Sequence, residues 1–492
     1  MKVFNFKTLC VSVLVVLLSA CVNEYQKVIP ADAMVVAELD LKSIVEKSDL
    51  KSQKGKLSDI MNKLKKEDKQ LAKLINIIES GNTGLDLLKP VYVFLEGENP
   101  YLVLAVSDQK ELESNIVSFS TEYDDIDVTT SNELSWIEVD GELVGAMNKS
   151  VLIAGIDASR STYRDFFENE GDSFFDTEAG KLMKKHAGDA TVVVNMKAIP
   201  SVIKHELYDE LVSELGDLEG MDDVYDQIFN LQLAANVEFE KGKASVNVFV
   251  ANLDDDVKEW LNEIDTKKLE QVPTKNLIAL GAVALDGAKY YELLEDALED
   301  LYKEISYGAR EELDMFVDLF KNIDGTGVVS ISGEVEDDEP EVLCVLPVSK
   351  GKVNDLIDYF GEKMPVEINM GGDSENTYVT NIPGYSYGNV HNPFDKASNA
   401  KSCCAYYYLN LRPIADWLVE DMMRYSYGED DELKRVRKDL KNAVSTLDYA
   451  DLKVDTDSNV SLNLYLTDDS DNILAIVLDK VVNFVHDNLD RM

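Results

Sequence analysis

Two stretches of this chain repeat each other, and this repeat constrains the fold more than any other feature of the sequence. Residues 245–250 read Ser-Val-Asn-Val-Phe-Val, and residues 461–466 read Ser-Leu-Asn-Leu-Tyr-Leu. They match in residue type at every position, which is typical of an internal duplication. We therefore expect Asn247 and Asn463 to occupy equivalent positions in two duplicated halves.

A second pair of segments extends the repeat towards the N-terminus. Residues 192–199 match residues 407–414, with Asn195 aligned to Asn410. In both pairs the asparagines are expected to hydrogen-bond to neighbouring backbone, or to line equivalent clefts. The predicted organisation is a signal peptide over 1–20, a lipid-anchored tether over 21–28, a first α+β half over 29–270 and a second α+β half over 271–492.

Hydrophobic periodicity predicts the elements of each half. In residues 245–250 the valines alternate with Ser245, Asn247 and Phe249, so that the valines face one way and the other three face the other way, the pattern of a half-buried antiparallel strand. From Leu57 to Ile78, apolar residues recur every three or four positions, which predicts a long helix with a buried stripe. The predicted fold class is α+β: two tandem duplicated halves, each an antiparallel sheet with long amphipathic helices packed on it.

The N-terminus has the order of residues found in a lipoprotein signal peptide. Lys2 and Lys7 precede a short apolar run, and Leu18-Ser19-Ala20 then leads to Cys21. The run is shorter than the roughly 20 apolar residues that a bilayer-spanning helix needs. We predict that Cys21 is the lipid-attachment residue, that acyl chains on it anchor the protein to the membrane, and that the protein lies in the cell envelope, at the outer membrane.

The net charge excludes one class of partner. The sequence has 48 Lys and Arg against 93 Asp and Glu, a net charge of −45, and removing residues 1–20 with Lys2 and Lys7 makes it −47. Binding of nucleic acid depends on basic side chains that neutralise phosphates. We therefore expect no nucleic-acid partner.

No motif marks a catalytic, metal-binding or cofactor-binding site. His205-Glu206-x-x-Asp209 has part of a zinc-protease pattern but lacks its second His. Cys344, Cys403 and Cys404 are an odd number without Cys-x-x-Cys spacing; they are expected to be buried thiols, although a disulfide that involves Cys344 stays open. We expect no metal and no cofactor, and the missing motifs favour a protein without enzymatic activity.

Two surface features have open interpretations. Lysines crowd the first long helix, where they would form a solvated face or contact anionic lipid headgroups: Lys47, Lys51, Lys54, Lys56, Lys63, Lys65, Lys66, Lys69 and Lys73. Tyrosines cluster at 385–387, 406–408 and 425–427, where they would pack in a sheet or form a sugar-stacking surface.

The opening of the mature chain resembles a known family. Residues 29–43, which begin Ile29-Pro30-Ala31-Asp32, are similar to the start of an uncharacterised lipoprotein family of Bacteroides-type bacteria that is known only as a domain of unknown function. The resemblance implies an envelope lipoprotein and transfers no site residues. We expect a non-enzymatic binding or structural protein with an unknown protein or glycan partner. The alternative is an envelope glycan-binding protein or hydrolase with a cleft between the two halves.

Overall fold

The computed structural model describes residues 24–120, 125–169, 171–215, 227–254, 258–292, 295, 307–335, 340–354, 368–424, 438, 441–442 and 444–487. Within these residues the strands belong to one antiparallel sheet of eighteen strands. In chain order they are β1 Val35–Leu39, β2 Val91–Glu96, β3 Asn99–Ala105, β4 Ile126–Ser131, β5 Leu134–Val139, β6 Glu142–Met147, β7 Val151–Gly155, β8 Ala190–Asn195, β9 Gln232–Glu240, β10 Lys243–Ala251, β11 Leu277–Asp286, β12 Asp324–Ser332, β13 Glu341–Leu346, β14 Asn369–Gly372, β15 Thr377–Thr380, β16 Cys403–Asn410, β17 Leu447–Asp455 and β18 Val460–Leu466.

The single sheet corrects the predicted fold class. Two duplicated halves, each with its own sheet, are not what forms. The repeated segments lie in β10 and β18, which are adjacent antiparallel strands with Ser245 opposite Asn463 and Asn247 opposite Ser461. Each strand thereby supplies hydrogen-bond partners that the other would lack at the edge of a separate sheet. The two strands are neighbours in one sheet, so the prediction of separate halves was wrong.

The helices also differ from the predicted long ones. They are α1 Leu41–Lys47, α2 Lys54–Glu67, α3 Lys69–Ser80, α4 Gln109–Ser118, α5 Arg160–Phe167, α6 Glu178–Lys185, α7 Ser201–Leu215, α8 Thr266–Leu269, α9 Tyr307–Lys321, α10 Leu411–Arg424 and α11 Ile473–Asp487. The helix predicted through residues 57–78 is broken at Asp68, whose extended backbone ends α2 and whose carboxylate caps the backbone N–H groups of Gln70 and Leu71 in α3. In these two helices only Ile75 is buried, so the predicted buried stripe is absent.

The chain forms two compact units. Unit 1 comprises Met1–Glu210, Ile228–Val237 and Val477–Met492, and unit 2 comprises Leu211–Gln227 and Glu238–Ile476. In unit 1 the strand order is β4-β5-β6-β7-β3-β2-β1-β8-β9. Its core contains a contact network of Phe94, Tyr101, Tyr163 and Phe166, four buried aromatic side chains that pack mostly edge to face.

Unit 2 has the strand order β10-β18-β17-β16-β11-β12-β13-β15-β14. One face of this sheet, here called the inward face, is buried: Leu280, Val328, Leu343 and Tyr406 on it pack with side chains such as Phe394 from the connecting segments. The opposite face, which we call the outward face, is described below.

Candidate functional site

Several strands of unit 2 bury a polar side chain on the inward face next to an exposed apolar side chain on the outward face. In β10 Ser245 is 2% exposed, whereas the next residue, Val246, is 42% exposed. β18 shows the same inversion at Asn463 and Leu462 (3% and 50%), and β12 shows it at Ser330 and Val329. The prediction of a half-buried strand over residues 245–250 is therefore confirmed, but at its start the serine is buried and the valine is exposed. Exposed apolar surface on this scale points to a binding role.

Strand register joins the exposed side chains into continuous rows. Residues directly opposite in paired strands lie on the same face. The central row crosses nine strands without a charged residue: Val246, Leu462, Leu452, Tyr407, Gly281, Val329, Cys344, Val379 and Met370. One flanking row is Ala244, Leu464, Ala450, Leu409, Ala279, Ile331 and Val342, and the other is Val248, Val460, Val454, Ala405, Val283 and Gly327.

The outward face consists of these three rows. Eight inter-strand spacings make the central row about 38 Å long, and three rows span about 14 Å, which gives a projected area of about 500 Å². That lies in the range of the largest apolar patches on monomeric proteins, which are often functional. The face is therefore large enough to be a binding surface.

A shallow groove of about 450 Å³ lies in the middle of the outward face. It is lined by side chains that include Val329, Ile331, Leu409 and Leu462, around the position of Gly281. A Cβ at Gly281 would lie 3.2 Å from the Tyr407 ring, so the glycine both allows the ring its place and leaves the depression beside it. The groove can receive an apolar side chain or chain segment.

An acidic groove of about 600 Å³ follows at the end of the same strands. Leu277, Gly333 and Asn410 line it, at the ends of β11, β12 and β16 next to the outward-face residues Ala279, Ile331 and Leu409. It is also lined by the exposed carboxylates of Glu334, Asp416 and Glu420. Lys441, which lines it too, pairs with Glu420 at 2.8 Å. A region that favours positive charge thus lies at the strand ends, beyond one flanking row of the outward face.

The inward face holds a buried polar cluster that fixes strand register. Asn463 Nδ2 donates to Asp451 Oδ1 at 2.7 Å, and Lys453 Nζ lies 3.5 Å from Asp451 Oδ2. Nearby Tyr406 is fully buried; its hydroxyl makes no hydrogen bond of good geometry although Asn399 approaches it, and burial raises its pKa. Buried polar pairs require specific partners, so the cluster opposes a one-residue slip that would turn the aliphatic rows inward.

The asparagines singled out in the sequence have different surroundings. Asn463 is buried against Asp451, whereas Asn410 donates to the Leu277 backbone carbonyl at 3.1 Å. Asn195 is also buried, and its backbone N–H donates to the Met34 carbonyl at 2.8 Å. The backbone-bonding interpretation is confirmed for the side chain of Asn410.

The tyrosines at 385–387 and 406–408, for which sheet packing and a sugar-stacking surface were both open, do not form one surface. Tyr406 is buried on the inward face, whereas Tyr407 is half-exposed on the outward face. Tyr408 packs edge to face on Phe394, and the Tyr385 hydroxyl donates to the Gln271 carbonyl at 3.0 Å. Residues 425–427 lie outside the described residues. Adjacent strand residues point to opposite faces, which is why the sequence cluster is divided.

The lysines of the first helices are partly engaged. Lys65 pairs with Glu79 at 2.6 Å, Lys56 hydrogen-bonds to Asn483, and Lys73 donates to the Ser118 carbonyl at 2.7 Å. In α1, Lys47 pairs at 2.7 Å with the buried Asp189. Part of this basic charge therefore has structural roles.

The remaining predicted positions that the structure describes are not brought together in one place. Cys21, the predicted lipid-attachment residue, lies outside the described residues. Cys344, Cys403 and Cys404 are free thiols. His205 and Asp209 are both exposed, 3.8 Å apart. Within the part of the chain that the structure describes, no group of three or more His, Cys, Asp or Glu side chains is arranged to hold a metal ion, and none of the helices there is long and apolar enough to cross a membrane.

The outward face itself was missed by the sequence reasoning. Its signal is present in the aliphatic positions of β10, β12, β16 and β18, but alternation does not indicate which side of a strand is covered.

Comparison with protein-family models gives one match. The model described as Domain of unknown function (DUF4836) matches residues 25–338, which is more than half of the chain. Neither the curated proteins nor the solved structures include a match. The predicted resemblance to a domain of unknown function is confirmed, and its Bacteroides-type and lipoprotein character stays a prediction.

Proposed function

We propose, for a chain that belongs to the family described as Domain of unknown function (DUF4836), that it is a non-enzymatic envelope lipoprotein that binds a partner on the outward face of unit 2. One observation carries the proposal: three uninterrupted apolar rows remain accessible while serine and asparagine side chains of the same strands are buried. An exposed apolar patch that serves no binding is a liability for aggregation. A binding role accounts for its size.

The anchoring part of the proposal rests on the N-terminal sequence. Leu18-Ser19-Ala20-Cys21 would direct cleavage before Cys21 and acylation of its thiol, which would hold the protein at the outer membrane. Cys21→Ala should leave an unprocessed precursor that takes up no fatty acid in metabolic labelling. Labelled Cys21→Ala protein would show that this interpretation of the N-terminus is wrong.

Binding by the outward face is tested with Nile red, a neutral dye that fluoresces in apolar surroundings. The face variant Val246→Thr/Val329→Thr/Leu462→Thr removes three apolar side chains while keeping residues that favour strands. The helix control variant Val45→Thr/Val117→Thr/Val202→Thr changes three exposed valines of α1, α4 and α7. We expect the full-length protein to enhance Nile red fluorescence, the face variant to lose most of the enhancement and the helix control variant to keep it.

Two results would contradict the binding proposal. One is the absence of Nile red enhancement with the unmodified protein. The other is an equal loss in the face variant and the helix control variant, which would mean that the dye reports scattered apolar side chains. Circular dichroism of both variants checks that the sheet persists.

A further inference from the structure

We infer that the occupant of the outward face is a cationic amphipathic helix of a partner protein. This inference rests on the proposed function and names the chemistry of the partner. Two observations support it. The apolar rows would contact an apolar stripe of the partner, and the carboxylates of the acidic groove would attract its basic side chains.

The backbone of the sheet restricts the form of the occupant. Strands β11 to β13 and β16 to β18 each pair with a strand on both sides, so they already use their N–H and C=O groups within the plane of the sheet. The outward face therefore offers apolar side chains and no backbone hydrogen bonds. An extended peptide laid on it would bury unpaired backbone groups, at a cost of about 1–3 kcal/mol for each group. A helix satisfies its own backbone and avoids this cost.

The dimensions of the face suit one helix. A helix of about 18 residues is about 27 Å long and about 10–12 Å wide, within the roughly 38 Å by 14 Å of the three rows. An apolar stripe along it can cover side chains such as Val329, Tyr407 and Leu462, and a large side chain can enter the depression beside Gly281.

Charge distinguishes a helix from the other occupants. Glu334, Asp416 and Glu420 line the groove that follows the apolar one, where Lys441 pairs with Glu420. These carboxylates, within a chain of net charge −45, repel lipid phosphates, fatty-acid carboxylates and a second copy of the chain. They attract Lys and Arg along one side of an amphipathic helix that lies across the strands, which would give specificity for a helix with basic residues beside its apolar stripe.

The test uses the full-length protein and three fluorescent synthetic peptides of about 18 residues. One has leucine on one helical face and lysine on the other. The second has the same composition in scrambled order, and the third replaces lysine by glutamate. Anisotropy at about 150 mM salt limits unspecific attraction to an acidic protein. We expect the ordered leucine–lysine peptide to bind at least about tenfold more tightly than the other two.

Protein variants assign the contact. The face variant should lose about tenfold in affinity for the ordered leucine–lysine peptide. Glu334→Gln/Asp416→Asn should lose about threefold, a difference that narrows at high salt. Its control, Glu46→Gln/Glu98→Gln, removes the same charge from two exposed positions of unit 1 and should keep full affinity. Equal binding of the ordered and scrambled peptides, or equal affinity of the face variant and the unmodified protein, would overturn the inference.

Two further measurements cover the other occupants. A dimer in light scattering that the face variant abolishes would show that a second copy covers the face. Flotation with phosphatidylcholine vesicles that depends on the face residues would show a lipid instead. Either result overturns the helix inference. Nile red enhancement that depends on the face, without peptide binding, would leave the proposed function intact; loss of both would remove the function as well.

Discussion

Both units carry an apolar row on one side of the sheet, which we call the outward side in unit 1 as well, but a helix of unit 1 covers one end of its row. In unit 1, register also joins an uncharged row across nine strands: Val128, Ile137, Gly145, Ala154, Leu102, Val93, Ala37, Val192 and Ala235. At its β4–β7 end Leu112 of α4 is buried together with Ile137 and Leu152 in one core cluster. The same pattern thus forms core where a helix covers it, whereas Val93 and Val192, farther along this row, are each 39% exposed.

In unit 2 the equivalent kind of row is accessible. Val246, Val329, Tyr407 and Leu462 are between 42% and 50% exposed, and the depression at Gly281 lies between them. The comparison teaches that an apolar sheet face does not by itself identify core or interface. An apolar face becomes core where a helix of the same chain covers it, as α4 does in unit 1. Where no helix covers it, the face is available to a partner, as we propose for unit 2.

The largest effect expected from this comparison is on the free energy of unfolding after substitution in each row. Ile137→Ala empties a buried position of the unit 1 row and should lower the free energy of unfolding by about 2–4 kcal/mol. Val329→Ala removes a half-exposed side chain of the unit 2 row and should cost less than about 1 kcal/mol. Urea denaturation measures both. Similar costs would mean that the outward face of unit 2 is as well covered as that of unit 1.

The sequence was sufficient to predict where strands form, but not which strands pair with each other. The alternation in residues 245–250 and 461–466 identifies β10 and β18, because the pattern is local. That these strands pair with each other depends on contacts across more than two hundred residues, which no local pattern records. The break at Asp68 could have been predicted, since aspartate before a helical segment is a preferred N-cap.

The outward face could not be predicted from the sequence, for a related reason. Ser245 and Val246 occupy alternate faces whichever face is buried, and the usual expectation places the valine inside. The inversion follows from the polar cluster on the inward face, where Asn463 contacts Asp451, and from the covering segments around Phe394. These contacts come from tertiary structure.

A thiol in the outward face offers a chemical test of its partner. Cys344 lies next to Val329 in the central row, and burial raises the pKa of its thiol to about 11. Its alkylation by N-ethylmaleimide should therefore accelerate about tenfold for each pH unit between about 7 and 10, since the thiolate reacts. The ordered leucine–lysine peptide should slow the reaction, as followed by peptide mass mapping.

Cys403 is the internal control for that measurement. Burial raises its pKa to about 11 as well, but it belongs to the inward core of unit 2. The peptide should leave its rate of alkylation unchanged. Equal protection of both thiols would indicate that the peptide stabilises the whole unit and does not cover the outward face.

Buried carboxylates extend the comparison to the inward sides. In unit 2, Asp451 has Lys453 nearby, whereas in unit 1 burial raises the pKa of Glu38, although a hydrogen bond with Tyr92 lowers it in part. The folded state then binds this proton more tightly than the unfolded state. Stability from Glu38 is thus present below the unfolded pKa of about 4.5 and is lost as pH rises through the raised folded value.

Glu38→Gln removes this titration. The melting temperature of the variant should fall less than that of the unmodified protein between about pH 4 and pH 7, because glutamine stays neutral. Glu46→Gln, at an exposed position of α1, is the control and should follow the unmodified protein. Identical pH profiles for all three proteins would show that Glu38 carries no penalty for ionisation when the protein is folded.

The smallest expected effect concerns α2 and α3 of unit 1, which are basic, whereas the groove at the strand ends of unit 2 is acidic. Lys65 pairs with Glu79, and Lys63 lies 4.0 Å from Glu67, so little of their charge is available to a membrane. A soluble form that lacks Cys21 should bind anionic vesicles only weakly at low salt, and less at physiological ionic strength, where the screening length is about 8 Å. Vesicle sedimentation of the variant in which Lys63, Lys65, Lys66 and Lys69 are replaced by Gln should show no binding.

The matched control replaces Lys42, Lys110, Lys149 and Lys185, exposed lysines of the same unit, and should retain the weak binding. If the two variants behave alike, the lysines of α2 and α3 form a solvated face, and any attraction of unit 1 to membranes belongs to its overall charge distribution.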